Sequence, residues 1–163
     1  MKRLAQNLAR CGLAADLVRA DALDWRPETA PDAILLDAPC SATGTIRRHP
    51  DLPFRRDGSS IADLLGLQAH LIDHALSLLQ AGGRLVYAVC SLLPDEGPRQ
   101  IARALCNQPG WHISLADMDI GRLIGADGGL CDAPQGADIP VGRLLTPHHD
   151  GTDGFFFTRA CRS

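Results

Sequence analysis

Two short apolar segments, each running into a Cys-Ser pair, constrain the fold of this chain more than any other feature. Residues 33–36 form a continuous apolar run that leads through Asp37 and Pro39 to the first Cys-Ser pair at 40–41. Residues 84–91 repeat the pattern and end in a second Cys-Ser pair. Such runs are typical of buried strands in parallel sheets, covered on both faces. Because open α/β sheets place their ligands at the carboxyl ends of the strands, we expect both cysteines at one sheet edge.

The elements around these two units alternate between helix and strand. Apolar residues at helical spacing predict helices over residues 1–11, 61–79 and 94–107, and short strands are predicted over residues 17–21 and 111–115. This alternation favours an α/β fold with a mostly parallel sheet.

The carboxyl-terminal third of the chain has a different pattern. Residues 143–147 and 154–159 are two further strand segments, and the Asp-Gly-containing link between them is typical of an antiparallel hairpin. Residues 116–142 are rich in Gly, Asp and Pro and are predicted as a long loop.

Composition limits the classes of protein to which the chain can belong. A length of 163 residues fits one domain. The net charge of −3 argues against a free-standing basic nucleic-acid binder, so any RNA or DNA contact is expected to be local or supplied by another domain. No apolar run approaches the ~20 residues of a membrane span, and the start of the chain is amphipathic, unlike a signal peptide. We therefore predict a cytoplasmic protein that does not contact a membrane.

The six cysteines argue against a metal site and a disulfide scaffold. They occur without any C-x-x-C pair, so a zinc or iron–sulfur site is not predicted. Their wide spacing favours reduced thiols in a cytosolic protein. A single Cys at the end of a strand is most often a small core residue. Outside the two Cys-Ser pairs we keep this interpretation for four of them: Cys11, Cys106, Cys131 and Cys161.

A reactive Cys beside an acid at a sheet edge meets the needs of methylation at carbon-5 of cytosine. That carbon is a poor nucleophile until a thiolate adds to carbon-6 of the same ring, and an acid must then face the base. Many unrelated sites share such residues. A Cys–His hydrolase would require a positioned His, and although His70 and His74 lie one helical turn apart, nothing in the sequence places them at Cys90.

Four motifs together resemble a known family, the RNA 5-methylcytosine methyltransferases of the Nol/Nop/Sun type, and most of all its bacterial small-subunit ribosomal RNA members. The motifs are Asp37-Ala38-Pro39-Cys40-Ser41-Ala42-Thr43-Gly44-Thr45, Arg47-Arg48-His49-Pro50-Asp51, Val89-Cys90-Ser91-Leu92-Leu93-Pro94-Asp95-Glu96 and Asp153-Gly154-Phe155-Phe156. The resemblance covers nearly the whole chain. It departs at Val89, where the family usually has Thr or Ser.

The resemblance implies a Rossmann-like class I methyltransferase fold and a division of labour between the two cysteines. Cys90 would be the nucleophile, and Cys40 would assist release of the methylated RNA. Asp37 would lie at both the cofactor and the target base. The implied cofactor is S-adenosylmethionine, held in part by Asp21 at its adenosine and by Asp37 and Pro39.

The implied substrate is RNA, specifically small-subunit ribosomal RNA. The loop that follows Cys40 carries Arg47, Arg48 and His49, for which we favour contact with RNA phosphates over a solvated loop. No metal is implied.

Three parts of the family pattern have no counterpart in the sequence: the Gly-rich cofactor loop, the acid that would hold the ribose hydroxyls at the end of the second strand, and the amino-terminal RNA-binding region. We therefore expect residues 1–163 to be a single, partial catalytic domain that alone binds S-adenosylmethionine weakly or not at all. The alternative function is that of a non-catalytic methyltransferase fragment that binds only RNA or a partner.

Overall fold

A computed structural model of the chain describes residues 1–55, 58–114, 129–132 and 140–163. The helices are α1 (Lys2–Arg10), α2 (Leu52–Arg55), α3 (Ile61–Leu78), α4 (Pro98–Cys106) and α5 (Pro147–Asp150). The strands are β1 (Ala33–Asp37), β2 (Arg84–Val89), β3 (Trp111–Ile113), β4 (Gly129–Asp132), β5 (Pro140–Leu145) and β6 (Phe155–Arg162). A short 3-10 helix, Thr43–Thr45, follows β1.

All of these strands belong to one sheet. Its order is β1-β2-β6-β5-β4, and β3 pairs with β6 beyond the end of β5. β1 and β2 are parallel, with Leu36 opposite Tyr87. β6 runs antiparallel to β2 and takes β5 on its other side. The carboxyl ends of β1 and β2 therefore meet at one edge, as the two Cys-Ser units predict.

The predicted α/β class and the antiparallel carboxyl-terminal hairpin of β5 and β6 are confirmed. The sheet is mixed, however, and not mostly parallel over the described residues, where β1 and β2 form the one parallel pair. The cause is the position of β6, which enters beside β2 in the antiparallel sense and carries the remaining strands on its other edge.

The strand predicted over residues 17–21 is wrong. This stretch has no ladder partner, and Asp21 begins a turn. Among the described residues β1 is consequently an edge strand, and its Leu35 is 73% exposed, contrary to the prediction of a strand covered on both faces. A strand keeps its backbone groups paired only where a neighbour offers partners, and residues 17–21 gain none.

Two other predictions needed adjustment. The helix predicted over residues 94–107 begins only at Pro98, after a series of turns, and proline is well suited to the first turn of a helix. The loop predicted over residues 116–142 contains β4 and the first residues of β5, paired antiparallel. The remainder of that predicted loop lies outside the described residues.

The main core lies between the sheet and the helix pair α3 and α4. Alternate residues of β2 point into it, so that Leu85, Tyr87 and Val89 are buried against the apolar stripe of α3. Phe156 of β6 joins the same cluster, and its ring lies 6.4 Å from that of Tyr87. This core fixes the strand ends that carry the two Cys-Ser units. None of the helices in the described ranges is both long and apolar enough to span a bilayer.

Candidate active site

Two thiols meet at the carboxyl ends of β1 and β2. Cys40 lies three residues beyond β1 and Cys90 one residue beyond β2, and their Sγ atoms are 3.4 Å apart. Both cysteines are free thiols and half-buried. The predicted meeting of the two cysteines is confirmed. We call residues 38–45 and 90–96 the thiol rim.

The two thiols stand in different surroundings. Burial is the main reason that the pKa of the Cys40 thiol is raised to about 12, and the nearby Cys90 thiol and Glu96 carboxyl add to the rise. A hydrogen bond from the Ala42 backbone opposes these effects without cancelling them. At neutral pH, Cys40 is therefore a protonated thiol, which can give a proton but is a poor nucleophile.

A buried carboxyl group holds the turn that carries Cys40. Glu96 is fully buried, and its Oε1 accepts a hydrogen bond from the Ser41 backbone N–H at 2.8 Å. Its Oε2 accepts the Ser41 hydroxyl at 2.6 Å. A third donor, Gln68 Nε2 on α3, lies 3.1 Å from Oε1. Because a buried carboxyl is costly without partners, the three donors make this cluster a fixed part of the rim.

Hydroxyl groups connect the two halves of the rim directly. The Ser91 hydroxyl lies 3.1 Å from that of Thr43 and 3.3 Å from that of Ser41. Thr43 Oγ1 also accepts the Leu92 backbone N–H at 3.0 Å. The serines that follow both cysteines therefore link the two strand ends to each other.

Gly44 joins three of the four sequence motifs. Its N–H donates to the Cys90 carbonyl at 3.1 Å, and its carbonyl accepts the Gly154 N–H at 2.8 Å. A Cβ at Gly44 would lie 1.9 Å from the Gly154 carbonyl oxygen, so no side chain fits there. Ala42, two residues earlier, has φ +59°, a left-handed conformation that is uncommon outside glycine. Strained backbone of this kind is often found at functional sites.

The three residues predicted to hold the cofactor lie in two places. Asp37 is exposed at the end of β1 and stands opposite Ala88 in the sheet, and Pro39 follows it at the rim. Asp21 is exposed in a separate turn, where its carboxylate accepts the Leu23 N–H at 2.9 Å. Asp21 therefore caps its own turn and makes no described contact with the rim.

A mostly apolar cleft of about 390 Å³ opens beside the Asp21 turn. Ala20, Ala22 and Trp25 form one wall, while Ile34 and Leu36 of β1 and residues of α3 form the other. The cleft therefore reaches from the predicted adenosine site to the strand that carries Asp37.

The predicted RNA contacts lie on the exposed loop after Thr45. Arg47 and Arg48 both pair with the Asp153 carboxylate, Arg47 at 3.2 Å, and both side chains remain more than half exposed. His49 beside them is exposed. Two guanidinium groups share one carboxylate, so the loop keeps an excess of positive charge.

Sequence reasoning missed Gln68 and gave Ser41 and Glu96 no role, although both stand in the quoted motifs. The available signal for Gln68 was its place as a polar residue within the apolar stripe of α3, where it is fully buried.

In the part of the chain that the structure describes, no three His, Cys, Asp or Glu residues are grouped as metal ligands would be.

The family model for the 16S rRNA methyltransferase RsmB/F matches residues 1–160. Among curated relatives, ribosomal RNA small subunit methyltransferase B of Pseudomonas syringae pv. tomato is 41% identical over 160 residues, which cover 96% of this chain and 34% of that protein. The protein of the same name from Shewanella oneidensis is 36% identical over 167 residues, covering 100% of this chain and 35% of that protein. The chain thus spans about a third of the length of these relatives.

Two solved structures have the same fold as this chain. The crystal structure of PH0851 superposes with a TM-score of 0.81 at 29% identity and covers 99% of this chain and 34% of that chain. The structure of NSun6 from Pyrococcus horikoshii was solved with SFG, an S-adenosylmethionine analogue. It superposes with a TM-score of 0.71 at 26% identity, and the match covers 99% of this chain and 38% of that chain. Both alignments include the strands that carry the thiol rim.

Proposed function

The chain belongs to the 16S rRNA methyltransferase RsmB/F family, and we propose that it carries the paired thiols of an enzyme that methylates carbon-5 of cytosine in small-subunit ribosomal RNA. The observation that carries this proposal is the 3.4 Å approach of Cys40 Sγ to Cys90 Sγ at a sheet edge. Addition and elimination at one ring require two groups that act at the same place, and this pair supplies them.

Cys90 is the proposed nucleophile. Its thiol first gives its proton to solvent, and the thiolate sulfur then adds to carbon-6 of cytosine, which makes carbon-5 nucleophilic. S-adenosylmethionine, when bound, supplies the methyl group that carbon-5 takes. Asp37 is exposed at the end of the neighbouring strand and is the proposed acid that faces the base.

Cys40 is the proposed releasing group. When the bond between carbon-6 and Cys90 breaks, its electron pair returns to the Cys90 sulfur, which takes the proton of the adjacent Cys40 thiol. The proton lost from carbon-5 then restores the Cys40 thiol, so that the cycle ends with both thiols protonated. A raised pKa at Cys40 suits the second half of this role, because the thiolate left after the proton transfer is a strong base for the carbon-5 proton.

The described residues fit part of the proposed cofactor. The exposed Asp37 carboxylate is an acceptor for an ammonium or hydroxyl group, and Pro39 lies beside it at the rim. The apolar cleft beside Asp21 suits a flat purine ring. Asp21 itself is the weaker part of the fit, because its carboxylate already bonds its own turn.

RNA contact is proposed for Arg47, Arg48 and His49. Guanidinium groups bind phosphates well because they are planar and offer several donors. Asp153 fixes the two arginines near the rim while their side chains stay largely exposed.

The cytoplasmic location predicted from the sequence remains a prediction.

The second candidate is a chain that binds RNA or a partner without catalysis. The specific observation in its favour is the position of Asp21, which is exposed and engaged in its own turn. The two candidates differ in whether a covalent adduct with RNA forms.

Adduct trapping tests the proposal. We would graft this chain into the matching third of the Pseudomonas syringae relative and incubate the product with ribosomal RNA and S-adenosylmethionine. Cys40→Ala is expected to accumulate a covalent RNA–protein adduct on a denaturing gel, because addition proceeds and release fails. Cys90→Ala is expected to give neither adduct nor methylated RNA, and the double variant should match it.

The exposed Cys106 provides the matched control. Cys106→Ala should behave like the parent protein. An adduct in Cys90→Ala but not in Cys40→Ala would reverse the assignment. If no variant forms an adduct and the parent does not methylate, the non-catalytic candidate is favoured.

A further inference from the structure

Gln68 connects the helix layer to the turn that carries Cys40. Its side chain is fully buried, and its Nε2 donates to the Pro39 carbonyl at 2.8 Å. The same nitrogen lies 3.1 Å from Glu96 Oε1. One amide on α3 therefore bonds both the residue before Cys40 and the carboxyl that holds the residue after it.

Together, Gln68 and Glu96 hold the turn on both sides of the thiol. Gln68 holds the Pro39 carbonyl, and Glu96 holds Ser41 by its backbone N–H at 2.8 Å and its hydroxyl at 2.6 Å. Cys40 lies between these two held residues, and its side chain has little freedom to leave Cys90. Neighbouring Ala42, with φ +59°, shows that the backbone here adopts a conformation that must be imposed.

We propose that Gln68 and Glu96 are positioning residues that hold the Cys40 thiol against the Cys90 thiol, with Gln68 as the link between helix α3 and the thiol rim. The positional claim stands on the geometry alone. Its consequence for catalysis, that loss of the Gln68 amide slows release of methylated RNA more than formation of the adduct, rests on the proposed function.

Gln100 on α4 offers a closely matched comparison. It is also buried, and its Nε2 donates to a backbone carbonyl, that of Leu65, at 3.0 Å. The Oε1 atoms of Gln68 and Gln100 are both buried without a partner within the described part of the chain. The two residues thus share type, burial and kind of bond, and only Gln68 reaches the turn at Cys40. Replacing each by Leu separates the positioning effect from the general cost of losing a buried amide.

The test is the rate at which iodoacetamide alkylates Cys40 in the 163-residue chain, followed by mass spectrometry of its peptides. Loss of one buried hydrogen bond shifts a local opening equilibrium by about tenfold. In Gln68→Leu we expect Cys40 to react about tenfold faster. In Gln100→Leu, the Cys40 rate should stay within about twofold of the parent, because this variant loses the same kind of bond away from the turn.

Gln68→Met provides a second variant of nearly the same length. It keeps an unbranched side chain of similar volume but has no donor for the Pro39 carbonyl and the Glu96 carboxyl. Cys40 should again react faster than in the parent chain. The exposed Cys11 is the internal reference, and its rate should be equal in all variants. Equal Cys40 rates in Gln68→Leu and Gln100→Leu, or no change in either Gln68 variant, would overturn the proposal.

A catalytic arm separates this inference from the proposed function. In the grafted protein, Gln68→Leu should raise the ratio of covalent adduct to released methylated RNA, whereas Gln100→Leu should leave the ratio unchanged. If the parent protein neither methylates RNA nor forms an adduct, the proposed function fails, while the alkylation rates still decide the positional claim. An unchanged ratio in an active protein would contradict the role in release.

Discussion

The thiol rim and the amino-terminal segment, residues 1–31, both carry predicted site residues, yet they differ in how they are held. In the rim, polar groups such as Ser41, Ser91 and Glu96 are buried and bonded to one another. In the amino-terminal segment, no residue of α1 is buried, and the hydrogen bonds of the described residues are local. The exception is His74 Nε2, which lies 2.9 Å from the Trp25 carbonyl.

This difference shows which part of the site the chain fixes by its own packing. The thiol pair is fixed by the ends of two paired strands, by a buried carboxyl and by α3. The predicted cofactor acid, Asp21, is fixed only by its own turn. We therefore expect perturbations of the rim to have large effects and equivalent changes in the amino-terminal segment to have small ones.

The largest expected effect is the pH dependence of thiol reactivity in the rim. Burial raises the pKa of Cys40 to about 12, so its reactive thiolate is scarce at neutral pH and increases with each pH unit. The Cys40 alkylation rate in the folded chain should rise about tenfold per pH unit from pH 7 to 10 without a plateau. The alkylation rate of an unperturbed thiol would instead level off above its pKa of about 8.5. In urea the plateau should appear near that value; a plateau there in the folded chain as well would contradict the account.

The next effect compares two glycines. Gly44→Ala would place a methyl group 1.9 Å from a backbone oxygen in the rim, whereas a Cβ at Gly12 meets nothing within 4 Å and suffers only from φ +65°. We expect Gly44→Ala to lower the free energy of unfolding by about 3 kcal/mol or more and Gly12→Ala by about 1 kcal/mol. Urea unfolding curves of both variants measure the difference, and equal losses would show that the two regions are packed alike.

A smaller effect is expected at Tyr87 beneath the rim. Its buried hydroxyl donates to the Glu96 backbone carbonyl at 2.6 Å. Tyr87→Phe should cost about 1.5 kcal/mol of unfolding free energy, because the carbonyl is left unpaired. Asp21→Asn, which alters an exposed turn, should change the same quantity by less than about 0.5 kcal/mol. If Asp21→Asn lowered the unfolding free energy more than Tyr87→Phe, the amino-terminal segment would be held more firmly than the rim, contrary to the expectation.

The smallest expected effect is the response of the isolated chain to the cofactor. Because Asp21 is engaged locally and the described residues fit only part of S-adenosylmethionine, we expect calorimetry of the 163-residue chain to show a dissociation constant above about 100 μM, or no binding. Sub-micromolar binding would show that the amino-terminal segment is as well organised for its ligand as the rim is for its thiols.

The sequence predicted the elements whose signals are local. The apolar runs that became β1 and β2, the stripe of α3 and the Asp-Gly link of the hairpin all lie within short windows. The strand predicted over residues 17–21 failed because a strand depends on a partner, and pairing is decided by tertiary structure. The mixed sheet was missed for the same reason, since the position of β6 beside β2 involves residues far apart in the sequence.

The same distinction applies within the site. Cys40 and Cys90 were found because each stands in a recognisable strand-end motif. Gln68 was not found, because its contact with Pro39 spans 29 positions and leaves no local pattern. Arg47 and Arg48 were found as a basic pair, but their shared partner, Asp153, lies 106 and 105 positions away.

The most direct test of the central claim, that the folded chain holds two thiols as one site, is the binding of phenylarsine oxide, which bridges a pair of adjacent thiols. The native chain should take up one arsenical that protects Cys40 and Cys90 together from alkylation, as read by mass spectrometry. Cys40→Ser, or unfolding in urea, should abolish that protection. If Cys40 and Cys90 of the native chain are alkylated as readily with the arsenical as without it, the two thiols do not share a site and the account is contradicted.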